Sequence, residues 1–142
     1  MDRLLYGIIA LPFLRLMENQ MMEFANHRAA FGKTIDNYQY VQDRIVRARV
    51  NATTVEALSR EALTEMQSQM STVSMTSSIA KMLGAEAVLQ TAQDTMRVLG
   101  HSGYETGEVS KLLSDAQGLV IAGGTIEMQK KNIFSQLSKG SE

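Results

Sequence analysis

The stretch 41–70, VQDRIVRARVNATTVEALSREALTEMQSQM, determines the fold class of this 142-residue chain. Its apolar side chains recur at steps of three and four residues: Val41, Ile45, Ala48, Ala52, Val55, Leu58, Ala62, Met66 and Met70. These nine positions span 29 residues in eight steps, or 3.6 residues per step, which is the period of an α-helix. Because charged side chains lie between them, the sequence predicts a long amphipathic helix of about eight turns.

Similar periodicity appears on both sides of this stretch. Asp36 or Asn37 is expected to cap the central helix, Gly100 to end the next one, and Thr125 to cap the last. Residues 138–142 are expected to fray. The predicted helices cover about 2–26, 37–67, 79–99, 108–121 and 125–137, joined by loops at 27–34, 68–78 and 101–107.

Helices of this length joined by short loops bury their apolar faces on one another. A single proline in 142 residues also disfavours the many turns of a β-sandwich or barrel. The sequence therefore predicts an all-α fold, an up-down four-helix bundle with an additional short C-terminal helix. We expect residues 1–142 to form one domain.

Charge and residue counts exclude several classes of function. Fourteen Lys and Arg oppose 15 Asp and Glu, so the chain lacks the basic excess of a typical nucleic-acid-binding protein. There is no cysteine, and the two histidines are 74 positions apart. We therefore expect no nucleic-acid partner, no disulfide and no metal site.

The N-terminal run 4–14 contains eleven uncharged residues, too few for the roughly 20 that span a bilayer. Its length is also that of a signal-peptide core, but Asp2 offsets Arg3 and no typical cleavage site follows. The amphipathic pattern instead continues through Leu16, Met17, Met21, Met22 and Phe24, which favours a buried helix. Pro12 predicts a kink or a local break in that helix. We expect no membrane span and a location in the cytoplasm or an organelle matrix.

Residue types alone give few candidates for chemistry. Gly100-x-x-Gly103 is half of a phosphate-loop pattern, but no strand precedes it, so a dinucleotide fingerprint is rejected. Asp2 and Arg3 form either a functional pair or an ordinary helix start. The loop 28–33, RAAFGK, is either an anion site or a plain interhelical turn.

Three segments, in order along the chain, resemble motifs of the acyl-CoA dehydrogenase family. FANHRAAFGKTIDNYQYVQ (24–42) is similar to the family pattern R-x-x-F-G-x-x-[IL] followed by Q-x-x-Q. VLGHSGY (98–104) is similar to its Q-[IL]-L-G-G-x-G-Y loop. Asp115-Ala116 with GGTIEMQ (123–129) is similar to R-D-A followed by E-G-T-[SN]-[EQ]-I-Q. The resemblance covers only the C-terminal helical domain of that family.

The resemblance implies an FAD cofactor and an acyl-CoA substrate. It places Arg28 and Gln39 against the FAD of a neighbouring subunit, and Thr125 and Glu127 in their own active site. The residues that it assigns to FAD are Arg28, Phe31, Gln39, Arg97, Gly100, His101, Thr125 and Glu127. Those assigned to the substrate are Arg3 and Gly124.

The reaction implied by the family removes the α-proton of an acyl-CoA thioester with a carboxylate, while hydride passes from the β-carbon to flavin. Many members carry that carboxylate on the Glu of E-G-T, where this chain has Gly123. In another branch the base precedes an Arg on the first helix, and here that residue is Asp2. Aspartate is one methylene shorter than glutamate, roughly 1.5 Å of reach. Arg97 and His101 also depart from the usual Gln and Gly.

Three hypotheses follow. The chain is the C-terminal domain of an active FAD-dependent dehydrogenase with Asp2 as base, or the same domain in a catalytically silent subunit. The third is an unrelated helical oligomerisation or interaction module. Uncovered apolar helix faces predict a homo-oligomer, or a hetero-oligomer with a related subunit.

Overall fold

The computed structural model of the chain describes residues 2–105 and 107–139, with Asp2 described for its backbone alone. Four long helices form the bundle, in accordance with the predicted all-α architecture, and a fifth follows them. The elements are α1 (Asp2–His27), β1 (Ala29–Ala30), β2 (Lys33–Thr34), a 3-10 turn (Ile35–Asn37), α2 (Gln39–Gln67), α3 (Val73–Leu99), α4 (His101–Tyr104), α5 (Glu108–Ile121) and α6 (Ile126–Lys139). The bundle consists of α1, α2, α3 and α5, and α6 is the additional helix.

Helix α3 is the centre of the molecule, because α1, α2, α5 and α6 all pack against it. Small residues permit the close approach of α1: a Cβ atom built on Gly84 would lie only 3.2 Å from the Cβ atom of Ala10. One apolar cluster is centred on Leu14, Met17 and Val88, and a second, nearer the end of α1, on Met21 and Ile45. The core therefore extends along most of α1.

The apolar stripe predicted for α2 is buried from Ile45 to Val55 and again at Ala62, as expected. The prediction is wrong at the end of the stripe, because Met66 and Met70 are exposed. Beyond Val55 the buried side of the helix passes through Ser59 and Glu65 instead. Ser59 packs against α1 at Gly7, which has no side chain. The Ser59 Oγ lies 3.2 Å from the position that a Cβ atom on Gly7 would occupy.

Several predicted boundaries need correction. Helix α1 continues through Pro12 without a break, with Pro12 on the exposed side. The turn predicted at 68–78 ends at 72, and the Ser- and Thr-rich residues 73–78 form the first turns of α3. Buried, small hydroxyl side chains such as Ser78 let α3 pack closely there. The predicted loops at 27–34 and 101–107 contain a β-hairpin and the one-turn helix α4.

The predicted helix caps differ in their outcome. Thr125 caps α6, because its Oγ1 accepts a hydrogen bond from the Met128 backbone N–H at 3.4 Å. The cap predicted for α2 is wrong: its N-cap position is Tyr38, and Asn37 instead donates its side-chain amide to Thr34 Oγ1 at 2.9 Å. Helix α6 runs to Lys139, two residues past the predicted end, and residues 140–142 lie outside the described part.

Candidate functional site

The residues assigned from the sequence to a cofactor or substrate lie in two regions at opposite ends of α1. One region surrounds the hairpin that follows His27. The other surrounds the turn at Gly123, which contacts Tyr6 near the start of the helix. Tyr6 and His27 are 21 positions apart in α1, so at 1.5 Å per residue the two regions are separated by about 30 Å along the helix axis.

The hairpin presents Phe31 at its tip. Ala29 pairs with Thr34 and Ala30 with Lys33, leaving Phe31 and Gly32 as a two-residue turn. Both turn residues have positive φ, +53° and +85°, as in the tight turns that match the twist of a hairpin. Positive φ is uncommon for a residue with a side chain, and Phe31 adopts it while 97% of its surface is exposed to solvent.

A cavity of about 330 Å³ lies beneath the hairpin tip, and its wall brings together Phe31 and Arg97, both predicted cofactor residues. Tyr38 and Tyr40 add aromatic surface to the wall, and Arg44 adds a second guanidinium group. The Tyr38 hydroxyl donates a 3.0 Å hydrogen bond to the Ala30 carbonyl, which ties the hairpin to the start of α2. The arrangement offers flat apolar surface next to positive charge.

Asp94, on α3, organises the positive side of this cavity. Its carboxylate is 2% exposed and lies 3.5 Å from Arg44 Nε, 3.4 Å from Arg47 Nη1 and 3.9 Å from Arg97 Nη1. Arg44 Nε is itself buried and forms no hydrogen bond within the described residues. One carboxylate therefore faces three guanidinium groups, and positive charge remains in excess at the cavity.

Four other residues predicted to bind the cofactor lie at the same end of the bundle but outside the cavity wall: Arg28, Gln39, Gly100 and His101. Arg28 and Gln39 are exposed, and neither side chain has a partner in the described part of the chain. His101 Nε2 lies 3.2 Å from a Glu105 carboxylate oxygen, and Gly100 ends α3 with φ +58°. His27, the last residue of α1, hydrogen-bonds through Nδ1 to the Glu23 carbonyl at 2.8 Å.

The turn at the other end of α1 is closed around its two glycines. Gly123 has φ +67°, and a Cβ atom built on it would lie 2.2 Å from Cε2 of Tyr6. On the other side, a Cβ atom on Gly124 would lie 2.9 Å from Nε2 of Gln129, which donates to the Gly124 carbonyl at 3.0 Å. Both positions therefore require glycine, for conformation and for space.

Lys81 stabilises the end of α5, which leads into this turn. None of its surface is exposed, and its ammonium donates to the Leu119 carbonyl at 3.1 Å, with the Val120 carbonyl at 3.5 Å. These carbonyls belong to the last turn of α5, where a cation is favoured. Burial lowers the pKa of Lys81. The ammonium also lies 6.0 Å from the centroid of the Tyr6 ring.

Thr125 and Glu127 are occupied with the start of α6. Besides capping the helix, the Thr125 hydroxyl hydrogen-bonds to the Glu127 carboxylate. The pKa of Glu127 is lowered mainly by a hydrogen bond from its own backbone N–H, then by this hydroxyl and by the charge of Lys130. Glu127 is thus an exposed, readily ionised carboxylate.

The two residues at the start of α1 are only partly accounted for. Arg3 Nη1 donates to Ser74 Oγ at 3.3 Å, so it links α1 to the beginning of α3. The side chain of Asp2, the predicted base, lies outside the described part of the structure.

Sequence reasoning missed Tyr6, Lys81 and Asp94. A signal for the latter two exists, because both lie among the buried positions of α3. Lys81 is four positions from Ser77 and three from Gly84, and Asp94 is three from Thr91 and four from Val98. A charged residue among such positions needs a partner or a function. The contact between Tyr6 and Gly123 has no such local signal.

Residues 2–105 and 107–139 contain neither a membrane-spanning helix nor a cluster of metal-ligating side chains. No helix there combines the length and apolar character needed to cross a bilayer. No group of three or more His, Cys, Asp or Glu within that part is arranged to hold a metal ion.

Comparison with known proteins identifies the class of domain. A family model described as "Acyl-CoA dehydrogenase, C-terminal domain" matches residues 1–138. The chain therefore belongs to the acyl-CoA dehydrogenase family, through the C-terminal domain of that family, which confirms the resemblance seen in the sequence.

Two curated relatives give the scale of the similarity. L-prolyl-[peptidyl-carrier protein] dehydrogenase of Pseudomonas fluorescens is 30% identical over 129 residues, covering 88% of this chain and 34% of the relative. The mitochondrial long-chain specific acyl-CoA dehydrogenase of Rattus norvegicus is 27% identical over 141 residues, covering 99% of this chain and 33% of the relative. The chain thus spans about a third of the length of these relatives.

Solved structures agree on the fold. An acyl-CoA dehydrogenase from Geobacillus kaustophilus superimposes with a TM-score of 0.89 at 26% identity, covering 96% of this chain and 36% of that one. The FAD complex of PigA gives a TM-score of 0.89 at 20% identity, covering 93% of this chain and 34% of that one. The latter likeness shows the fold alone, in a protein that binds the cofactor predicted here.

Proposed function

We propose that this chain is the C-terminal domain of an FAD-dependent dehydrogenase that oxidises the α,β bond of acyl thioesters. The observation that supports this most directly is the distribution of the predicted cofactor residues into two exposed regions about 30 Å apart along α1. Residues around one flavin cannot lie at both ends of one helix of this length. Two copies, or a copy and a related subunit, would therefore share each flavin.

The hairpin cavity suits a flavin dinucleotide. Phe31 and Tyr40, both largely exposed, offer aromatic surfaces of the kind on which flat rings stack. One face of the Tyr38 ring is covered by Lys33 Nζ, which lies 4.4 Å from its centroid. Guanidinium groups bind phosphate oxygens in bidentate geometry, and Arg97 and Arg44 line the same cavity. Arg28, exposed and unpaired among the described residues, adds a third cation near the hairpin.

Bound FAD would supply the hydride acceptor, so the chain itself has to supply a base for the α-proton. Gly123 has no side chain, and the Tyr6 ring occupies the place where one would begin. Glu127 is a poor candidate, because its pKa is lowered, whereas a general base needs a pKa near the working pH. The family resemblance offers Asp2, ahead of Arg3 on α1, as the other position for the base, and we assign it that role.

The test uses the full-length flavoprotein and compares Asp2→Asn with Asp2→Glu. Loss of a general base lowers turnover by about a hundredfold or more. We expect that loss in Asp2→Asn and substantial turnover in Asp2→Glu, measured as acyl-thioester-dependent reduction of an electron acceptor. Equal turnover in wild type and Asp2→Asn would exclude Asp2 as the base.

Cofactor binding is tested separately, by FAD fluorescence titration of Arg28→Ala. The matched control is Arg60→Ala, an exposed arginine on α2 that pairs with Glu56, far from the hairpin. We expect weaker FAD binding for Arg28→Ala alone. A wild type that binds FAD but turns over no acyl thioester would establish the alternative, a catalytically silent subunit. A chain that never binds FAD would point to a helical oligomerisation module.

A second candidate substrate class is favoured by one relative. The 30% identical Pseudomonas fluorescens protein is a dehydrogenase of prolyl groups held on a peptidyl-carrier protein. The thioester would then be attached to a carrier protein rather than to CoA. Comparing kcat/KM for the same acyl group on CoA and on a carrier protein distinguishes these substrates.

A further inference from the structure

We propose that Tyr6 determines acyl-group size in this enzyme, as a rigid wall that admits short, compact acyl thioesters and excludes long chains. The inference rests on the proposed function, which assigns the base to Asp2, and on the family resemblance, which assigns Gly124 to the substrate. It adds the residue that limits what can bind there.

The contact with Gly123 shows that the Tyr6 ring occupies the space beside the turn. The ring atoms Cε2, Cδ2 and Cζ lie 2.2, 2.4 and 2.9 Å from the position of a Cβ on Gly123. No heavy atom can occupy that point while the ring is present, since carbon atoms in contact lie about 3.5–4.0 Å apart. The absence of a side chain at 123 therefore creates no free space for a substrate, because Tyr6 fills it.

The surroundings of the ring keep it in place. Behind the turn, Lys81 is fully buried and bonded to the last carbonyls of α5. Gln129, 1% exposed, holds the Gly124 carbonyl. The backbone of Tyr6 lies within the long helix α1, which is packed on α3. The packed helix that carries the ring and the braced turn beside it bound the ring on these two sides.

Position and exposure place Tyr6 where it meets the substrate. Positions 2 and 6 are one turn apart on the same face of α1, about 6 Å along the axis. Tyr6 is only half-buried, and its hydroxyl has no hydrogen-bond partner among the described residues. Part of the side chain therefore faces outward, on the side of the helix that carries the proposed base.

The experiment measures the affinity of the FAD-loaded, full-length protein for butyl-, octyl- and dodecyl-CoA thioethers by calorimetry. These analogues bind without reacting, so the result does not depend on turnover. The variants are Tyr6→Ala and Tyr6→Leu, which remove the ring, and Tyr6→Phe, which keeps it. Circular dichroism and FAD content verify that each variant is folded, and Tyr6→Leu retains more apolar volume than Tyr6→Ala.

Adding a methylene that meets a pocket wall changes discrimination by about tenfold or more. We expect wild type and Tyr6→Phe to bind the butyl thioether at least about tenfold more tightly than the dodecyl thioether. In Tyr6→Ala and Tyr6→Leu this preference should disappear or reverse. The same length dependence in all four proteins would overturn the role of Tyr6 and leave the proposed function intact. A uniform loss of affinity in Tyr6→Phe would also overturn it, in favour of a hydroxyl contact. If no thioether binds to folded, FAD-loaded wild type, the proposed function fails together with this inference.

Discussion

Replacing Asp94 by asparagine should destabilise the fold out of proportion to the size of the change. The substitution keeps the shape of the side chain, removes its charge and turns an amide N–H₂ toward guanidinium donors. The carboxylate is 2% exposed and faces three arginines at 3.4–3.9 Å. Removing one partner of a buried ion pair costs about 3–5 kcal/mol.

The expected loss of stability is smaller than this range, because water reaches two of the three arginine side chains. The side chains of Arg47 and Arg97 are 42% and 61% exposed, whereas that of Arg44 is 28% exposed. Water can solvate the guanidinium groups of Arg47 and Arg97 once the carboxylate charge is gone. We therefore expect the free energy of unfolding to fall by about 2–3 kcal/mol, mostly because of Arg44. For a domain of this size, that lowers the melting temperature by roughly 6–12 °C.

Urea unfolding followed by circular dichroism measures the loss, with Asp43→Asn as the matched control. Asp43 pairs with the same Arg47, from one turn earlier in α2, but its side chain is 62% exposed. An exposed pair of this kind contributes about 0.5 kcal/mol or less. If both variants unfold with the same free energy, the buried carboxylate does not stabilise the cluster and the reasoning above is refuted.

Two further perturbations act on the turn at the other end of α1. Gly123→Ala forces a Cβ into the Tyr6 ring at positive φ, so we expect a loss of about 2–4 kcal/mol in urea unfolding. In a Tyr6→Ala background the same substitution should cost only about 1–2 kcal/mol, and equal costs in both backgrounds would contradict the contact. Lys81→Met tests the buried amine. Burial lowers the folded-state pKa of Lys81, so between that pKa and the ordinary 10.5 the unfolded chain binds more protons. Wild-type stability should therefore rise relative to Lys81→Met as pH increases toward 10.5, as measured by melting temperature. A difference that stays constant with pH would show that Lys81 titrates normally.

The bundle was predictable from sequence where one face of a helix is buried. The stripe of α2 from Ile45 to Ala62 is such a case, since its other face meets solvent and the period stays visible. In α3 the buried positions do not form a single stripe, because four helices pack around it and few of its positions are exposed. The Ser- and Thr-rich start of α3 resembles a turn in composition, yet it is buried helix.

The candidate site was predictable only to the extent that its residues are local in sequence. The motifs located Phe31, Arg97 and the Gly123-Gly124 turn, because each lies in a short segment of recognisable composition. The contact between Tyr6 and Gly123 joins positions 117 apart and arises only when α1 and the end of α5 come together. The shared carboxylate of Asp94 likewise depends on the packing of α2 against α3.

The central position of α3 has a consequence for how the domain opens. Every other long helix packs against α3, and α1 and α2 also pack against each other. Opening of α6 or of the hairpin leaves α3 covered on its remaining sides, whereas exposing α3 itself requires the bundle to come apart. Its mid-helix amide protons should exchange with deuterium only through global unfolding, while those of the hairpin and of α4 exchange through local fluctuations. The slowest-exchanging amides should thus be those of one helix, α3, which lies between the two regions proposed to contact flavin and substrate.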